Sequence, residues 1–155
     1  MKFQRIQSLA RLLLALATGL VASCSYLTLP FGGAPPVSPL VGNWATTDKN
    51  KVSFRADAVI VTPDKGSSTT LGPRDCNGIY KLQYGRMNGA SLAQAFPSQK
   101  DLTSKLKQLL VKPEYAVADV TCDQGGTTYL MLDESRMLAV YRDAGVGGLE
   151  AYSRL

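Results

Sequence analysis

The residues of this chain that could do chemistry are few, and their spacing limits what they could do. None of its 155 residues is a histidine, which removes Ser-His-Asp and Cys-His constellations and the commonest zinc and haem ligands. A general base would have to be a carboxylate or a lysine. Asp133-Glu134 is the adjacent carboxylate pair, but it stands where a hairpin turn is expected, and turn acids are usually solvated. Ser104-Lys105 suggests a serine–lysine dyad, yet neighbouring helical residues point in different directions. Gly145, Gly147 and Gly148 make a glycine-rich loop followed by a strand, without the helix N-terminus that would hold a phosphate. No catalytic, metal-binding or cofactor-binding residue is predicted, and the expectation is a protein that is not an enzyme. Lys100, Lys105, Lys107 and Lys112 read as the solvated face of a helix. Tyr80, Tyr84, Tyr115, Tyr129, Tyr141 and Tyr152 are more informative, because tyrosine offers an apolar body and a polar tip to a ligand or partner.

The N-terminus carries Lys2, Arg5 and Arg11 with no acid, then an apolar run from Leu12 to Leu20, then small residues. That is the pattern of a signal peptide. The run is too short to cross ~30 Å of hydrocarbon as a permanent helix. It ends at Val21-Ala22-Ser23-Cys24, which resembles the lipobox of bacterial lipoproteins. The resemblance implies cleavage after residue 23, lipidation of Cys24 by several acyl chains and attachment to a membrane. By the sorting rules of that family, Ser25 after the cysteine directs the protein to the outer membrane of a cell that has one, facing periplasm or surface.

Cleavage also changes the charge and the cysteine count. The whole chain has 17 Lys plus Arg against 12 Asp plus Glu, and loss of residues 1–23 leaves 14 against 12. So ordinary a balance gives no nucleic-acid footprint, and no nucleic-acid partner is expected. With Cys24 lipidated, Cys76 and Cys122 remain as a pair in an oxidising compartment and are predicted to be bonded.

Residues 24–39 combine the lipidated cysteine with a tether in which Pro30, Pro35, Pro36 and Pro39 prevent strand pairing. Residues 40–155 suffice for one core and form a single β-rich domain. Strands are predicted at Val41–Thr46, Lys51–Arg55, Ala58–Thr62 and Ile79–Tyr84, the last closed by Asn88-Gly89, with turns at Pro63–Gly66, Gly72-Pro73 and Asn77-Gly78. Between Ser98 and Val111 the period becomes helical. Ser98 is the expected N-cap, with Asp101 three residues on, and Leu102, Leu106, Leu109 and Leu110 share a face. A short helical turn over Ser91–Phe96 precedes it. A meander follows at Glu114–Cys122, Thr127–Leu132, Arg136–Arg142 and Leu149–Leu155, with Asp123–Gly126 and Asp143–Gly148 as links. The fold class is mainly β, all-β or α+β: a small antiparallel sheet or barrel with one amphipathic helix inserted near residues 98–111.

Gly42-Asn43-Trp44 resembles the Gly-x-Trp that opens the first strand of lipocalins and other calycin barrels. The resemblance implies that Arg154, on the last strand, covers the indole of Trp44. The helix, however, precedes the last four strands, whereas lipocalins place theirs after the barrel, so the resemblance covers only the two ends of the domain. The function expected is that of an envelope lipoprotein binding a small apolar molecule or a protein partner. An inhibitor of an exported protease or lysozyme, using a loop such as Asp143–Gly148, and a structural component of the outer envelope are the alternatives.

Overall fold

Short β-branched and aromatic runs that alternate in polarity set the architecture of residues 37–155, which the computed structural model describes apart from residues 97, 144 and 145. The leader, the Val21–Cys24 motif and the tether as far as residue 36 lie outside the described residues. Among the described residues nine strands form: β1 (Gly42–Ala45), β2 (Lys51–Phe54), β3 (Val59–Thr62), β4 (Thr69–Thr70), β5 (Tyr80–Met87), β6 (Tyr115–Cys122), β7 (Gly125–Met131), β8 (Arg136–Asp143) and β9 (Val146–Arg154). A 3₁₀ turn spans Pro73–Cys76, and the helices α1 (Gly89–Gln94) and α2 (Lys100–Leu109) separate β5 from β6.

All pairings are antiparallel, in the order β4-β3-β2-β1-β9-β8-β7-β6-β5. The sheet curls into a half-barrel whose first and last strands in that order, β4 and β5, are not paired with each other. The fold is therefore mainly β, and it is an open sheet of nine strands rather than a closed barrel of eight. The link from β1 to β9 is narrow, with only Trp44 opposite Arg154 and Ala45 opposite Ser153. Beyond Ala45 the chain turns into β2, so most of β9 has a strand on its β8 side alone.

Strand parity sorts the side chains into two apolar layers. On the concave face Trp44, Val52, Phe54 and Val59 of the first three strands pack against Ala118, Val120, Tyr129, Met137, Ala139 and Tyr152. The Phe54 and Tyr129 rings meet edge to face, with centroids 4.9 Å apart. The opposite face carries Val117, Leu130, Leu138 and Val140, and the helices cover it with Leu92, Ala93, Phe96, Leu102, Leu106 and Leu110. Gly147 permits that approach, because a Cβ there would lie 2.8 Å from Phe96 Cε1 and would also collide with Leu102.

Several boundaries differ from the sequence-based expectation. Helix α2 starts at Lys100 with Gln99 in the cap position and no side-chain cap bond, so Ser98 does not cap it. The Gln99 amide oxygen instead accepts the Gly147 N–H at 3.0 Å, a tertiary contact that capping patterns do not register. Leu109 is 45% exposed, and the buried face is Leu102, Leu106 and Leu110, because the helix ends at Leu109 and Leu110 turns back to the sheet. Asn88 does more than close β5. Its carboxamide accepts Ala90 N–H at 2.8 Å and Ser91 N–H at 3.3 Å and so caps α1, which opens at Gly89.

Gly125 and Gly126 belong to β7, and only Asp123-Gln124 forms the turn. A Cβ on Gly125 would collide with the Arg142 carbonyl, and Gly126 sits at φ 158° with the Val120 carbonyl against it, so strand packing rather than turn formation demands these glycines. Ile79 stays outside β5 and is exposed, while that strand runs on past Tyr84 to Met87. The Asp143–Gly148 link is mostly ladder: Asp143 opposes Val146, Arg142 opposes Gly147 and Tyr141 opposes Gly148. The two-residue β4 carries no hydrophobic pattern that a reading of periodicity would detect.

Candidate functional site

Counting back in twos from Arg154 along β9 places Tyr152, Glu150 and Gly148 on the concave face, opposite Met137, Ala139 and Tyr141 of β8. This register joins three groups of the interior. The hydroxyls of Tyr141 and Tyr152 both donate to Glu150 Oε2, the Tyr152 bond at 2.7 Å, and the two hydroxyls lie 3.3 Å apart. Tyr129 stands behind them with its ring centroid 6.2 Å from that of Tyr152. Burial, followed by hydrogen bonding to Glu150, pushes the Tyr141 phenol up to about 12, and burial raises Tyr152 and Tyr129 in the same direction. All three phenols stay protonated at neutral pH, and those of Tyr141 and Tyr152 act as hydrogen-bond donors to Glu150.

The open seam of the half-barrel is bridged by side chains from β5. Tyr84 donates its hydroxyl to the Arg55 carbonyl in the β2–β3 loop, and burial pushes that phenol up to about 12. The buried Tyr80 hydroxyl approaches the Val59 backbone without forming a well-aligned hydrogen bond. Five of the tyrosines singled out from the sequence, Tyr80, Tyr84, Tyr129, Tyr141 and Tyr152, thus share the concave side. Tyr115 does not. It packs under the helices, where its hydroxyl accepts the Lys112 N–H at 2.8 Å.

At the end where β1 meets β9, the Arg154 guanidinium lies over the Trp44 ring, with Cζ 4.3 Å from the centroid. Trp44 Nε1 donates to the Leu40 carbonyl at 2.9 Å, while Arg154 Nε and Nη2 donate to the carbonyls of Glu134 at 2.8 Å and Pro39 at 2.6 Å. Gly42 belongs to the same corner: a Cβ there would stand 3.2 Å from Arg154 Nη1 at a φ of 139°. Cys76 and Cys122 are joined by a disulfide of 2.01 Å, which ties the 3₁₀ turn to the end of β6.

The remaining chemical candidates are dispersed. Asp133 organises the β7–β8 turn by accepting Ser135 N–H at 3.0 Å and Arg136 Nε at 2.6 Å. Hydrogen bonding from Arg136 holds its carboxyl well below the usual range, while Glu134 points to solvent. Ser104 and Lys105 are both exposed on α2, as are Lys100 and Lys107, and Lys112 Nζ donates to the Leu132 carbonyl. On the convex face Asp119 accepts from Thr121, Thr128 and Arg142 at 2.9, 2.5 and 2.6 Å, a network that sequence reasoning missed because its members are scattered over three strands. Glu150 was missed too, although the two-residue period leading back from Arg154 and Tyr152 marks it as interior. Among the described residues there is no group of three or more His, Cys, Asp or Glu that could hold a metal ion, and no helix is long and apolar enough to cross a membrane.

Comparisons with protein-family models, with curated proteins and with solved structures return no match.

Proposed function

We propose that the chain is a non-enzymatic lipoprotein, attached to the outer membrane through acyl chains on Cys24, whose half-barrel engages a protein partner. The observation that favours a protein over a small apolar ligand is the occupancy of the concave face. Trp44, Val52, Phe54, Val59, Met137 and Ala139 are each at most 2% exposed, so the protein's own side chains fill the region where a calycin-like ligand would sit. Open strand edges, exposed hairpins and half-buried tyrosines are then the surfaces that a partner can contact. The inhibitor alternative has less to support it, because the segment it relied on, Asp143–Gly148, is largely paired strand.

Lysine-specific cross-linking in intact envelopes tests the proposal, since Lys49, Lys51 and Lys81 are exposed reporters on the first hairpin and on β5. A discrete heterologous product, carrying links from these lysines to one protein species, is the expected result. Products confined to the chain itself, or native mass spectra in which the purified protein retains a small apolar molecule, would overturn the partner reading.

A further inference from the structure

The register of the first three strands sets Ala45, Lys51 and Thr62 side by side, because Lys51 opposes Ala45 on one flank and Thr62 on the other. Trp44, Val52 and Val61, one position along, point into the filled interior, so these three residues lie on the outer face. They line a cavity of about 530 Å³, together with Lys49 of the β1–β2 turn, Asp64 of the β3–β4 turn and the exposed Leu155. Asn50 ties the two turns to each other. Its carboxamide oxygen accepts the Asp64 N–H at 3.1 Å, while its carbonyl accepts the Thr46 N–H at 2.8 Å. The cavity is thus shaped before a ligand arrives.

Its charged side chains are not spent within the protein: Lys49, Lys51 and Asp64 are exposed and take part in no ion pair among the described residues. The backbone of Lys49 adds a second observation. It holds φ 63°, in the left-handed region that glycine enters freely and lysine only with strain, so the turn keeps an ammonium at the cavity where glycine would close it more easily. Charges of both signs around one space narrow the ligand. A simple anion would meet Asp64 and a simple cation two lysines, whereas a ligand with an anion at one end and an ammonium at the other engages all three. The two non-bridging oxygens of a phosphodiester offer one acceptor to each lysine. We propose that this cavity is a subsite for a zwitterionic phosphoester of the phosphoethanolamine kind, its phosphate held by Lys49 and Lys51 and its ammonium by Asp64. Ala45 and Leu155 supply apolar contact for the carbons of the ester.

The group can come from a lipid headgroup or from a free phosphoester. Arg154, next to Leu155, donates to the Pro39 carbonyl at 2.6 Å, which puts the cavity close to where the tether joins the domain; for the lipid source the inference rests on the anchor proposed above. Lys81, on β5 and outside the cavity, remains a separate reporter of a protein partner. The test is calorimetric titration of the full chain in detergent with glycerophosphoethanolamine, inorganic phosphate, ethanolammonium and β-alanine. Glycerophosphoethanolamine is expected to bind saturably and about tenfold or more tighter than the other three. Lys49→Gly, which keeps the fold because glycine takes φ 63° without strain, and Lys51→Gln should each weaken it about tenfold. Asp64→Asn should weaken glycerophosphoethanolamine and spare inorganic phosphate. Repeating the titration in phosphatidylethanolamine and phosphatidylglycerol nanodiscs separates the sources: a response suppressed in the first alone identifies the lipid headgroup, and equal responses a free phosphoester; either supports the subsite. Absence of saturable binding, equal affinity for β-alanine or for inorganic phosphate, or unaltered affinity in the folded lysine variants would overturn it. If glycerophosphoethanolamine binds while Cys24 carries no acyl chain, the subsite stands and the anchor falls; an acylated chain that binds none of the probes gives the reverse.

Discussion

Reducing the Cys76–Cys122 bond, or replacing both cysteines by serine, is expected to cost the fold about 4 kcal/mol. The bond closes a loop of 46 residues, and constraining a loop of that length in the unfolded chain has an entropic value of this size. The location reinforces the estimate. Cys76 ends the 3₁₀ turn and Cys122 ends β6, so the bond holds the crossing from β4 to β5 against the sheet at the seam where β4 and β5 are not paired. Thermal unfolding with and without reductant should show the midpoint falling on the order of 15 °C. A change in stability below about 1 kcal/mol would mean that side chains across the seam, Tyr84 above all, hold the half-barrel without the bond.

Trp44→Ala is expected to cost about 3–5 kcal/mol, the usual range for emptying a fully buried large aromatic site. The substitution also removes the indole N–H from the Leu40 carbonyl and the ring from beneath Arg154, so the two-residue connection of β1 to β9 loses its packing and part of its polar contacts together. Arg154 is exposed, and the coupling between the two side chains should be smaller. A double-mutant cycle with Trp44→Leu and Arg154→Met is expected to give about 0.5–1 kcal/mol. Denaturant unfolding checks both values. A loss below about 1 kcal/mol for Trp44→Ala would show that the first four strands are held on the last five by the Phe54–Tyr129 contact rather than by the β1–β9 corner.

How far the fold could be read from the chain depended on whether its signals were local. Val52 with Phe54, Tyr80 with Leu82 and Tyr84, and Leu102 with Leu106 and Leu110 each declare a buried face within a few residues, and strands and helix formed there. Non-local causes defeated the rest. Gly125 and Gly126 look like a turn pair, but the carbonyls of Arg142 and Val120 press on them inside a strand. Asp143–Gly148 looks like a loop because glycines remove the side-chain pattern, yet the β8–β9 register runs through it. Ser98 looks like a cap, but the bond from Gly147 to Gln99, 48 positions away in the chain, draws on the neighbouring residue.

The candidate site divides in the same way. The tyrosines were visible as a class, but which of them converge depends on the register of β7, β8 and β9. Glu150 was unremarkable in sequence because an acid in a glycine-rich terminal strand resembles any solvated acid. Its two phenol donors become evident only when Tyr141 is carried across the hairpin to the same face. Asp119 and Arg142, 23 positions apart, are invisible as a pair until β7 is set between their strands.

The anchoring claim, on which the envelope reading depends, is tested most directly by fractionating cells that express the native chain and the Cys24→Ala chain, with the mass of the N-terminal peptide measured in each. The expected result is a native protein in the outer-membrane fraction that begins at Cys24 and carries acyl chains, and a variant that is folded, unacylated and absent from that fraction. A native N-terminal peptide without acyl mass, or a variant that remains in the outer membrane as fully as the native protein, would contradict the account.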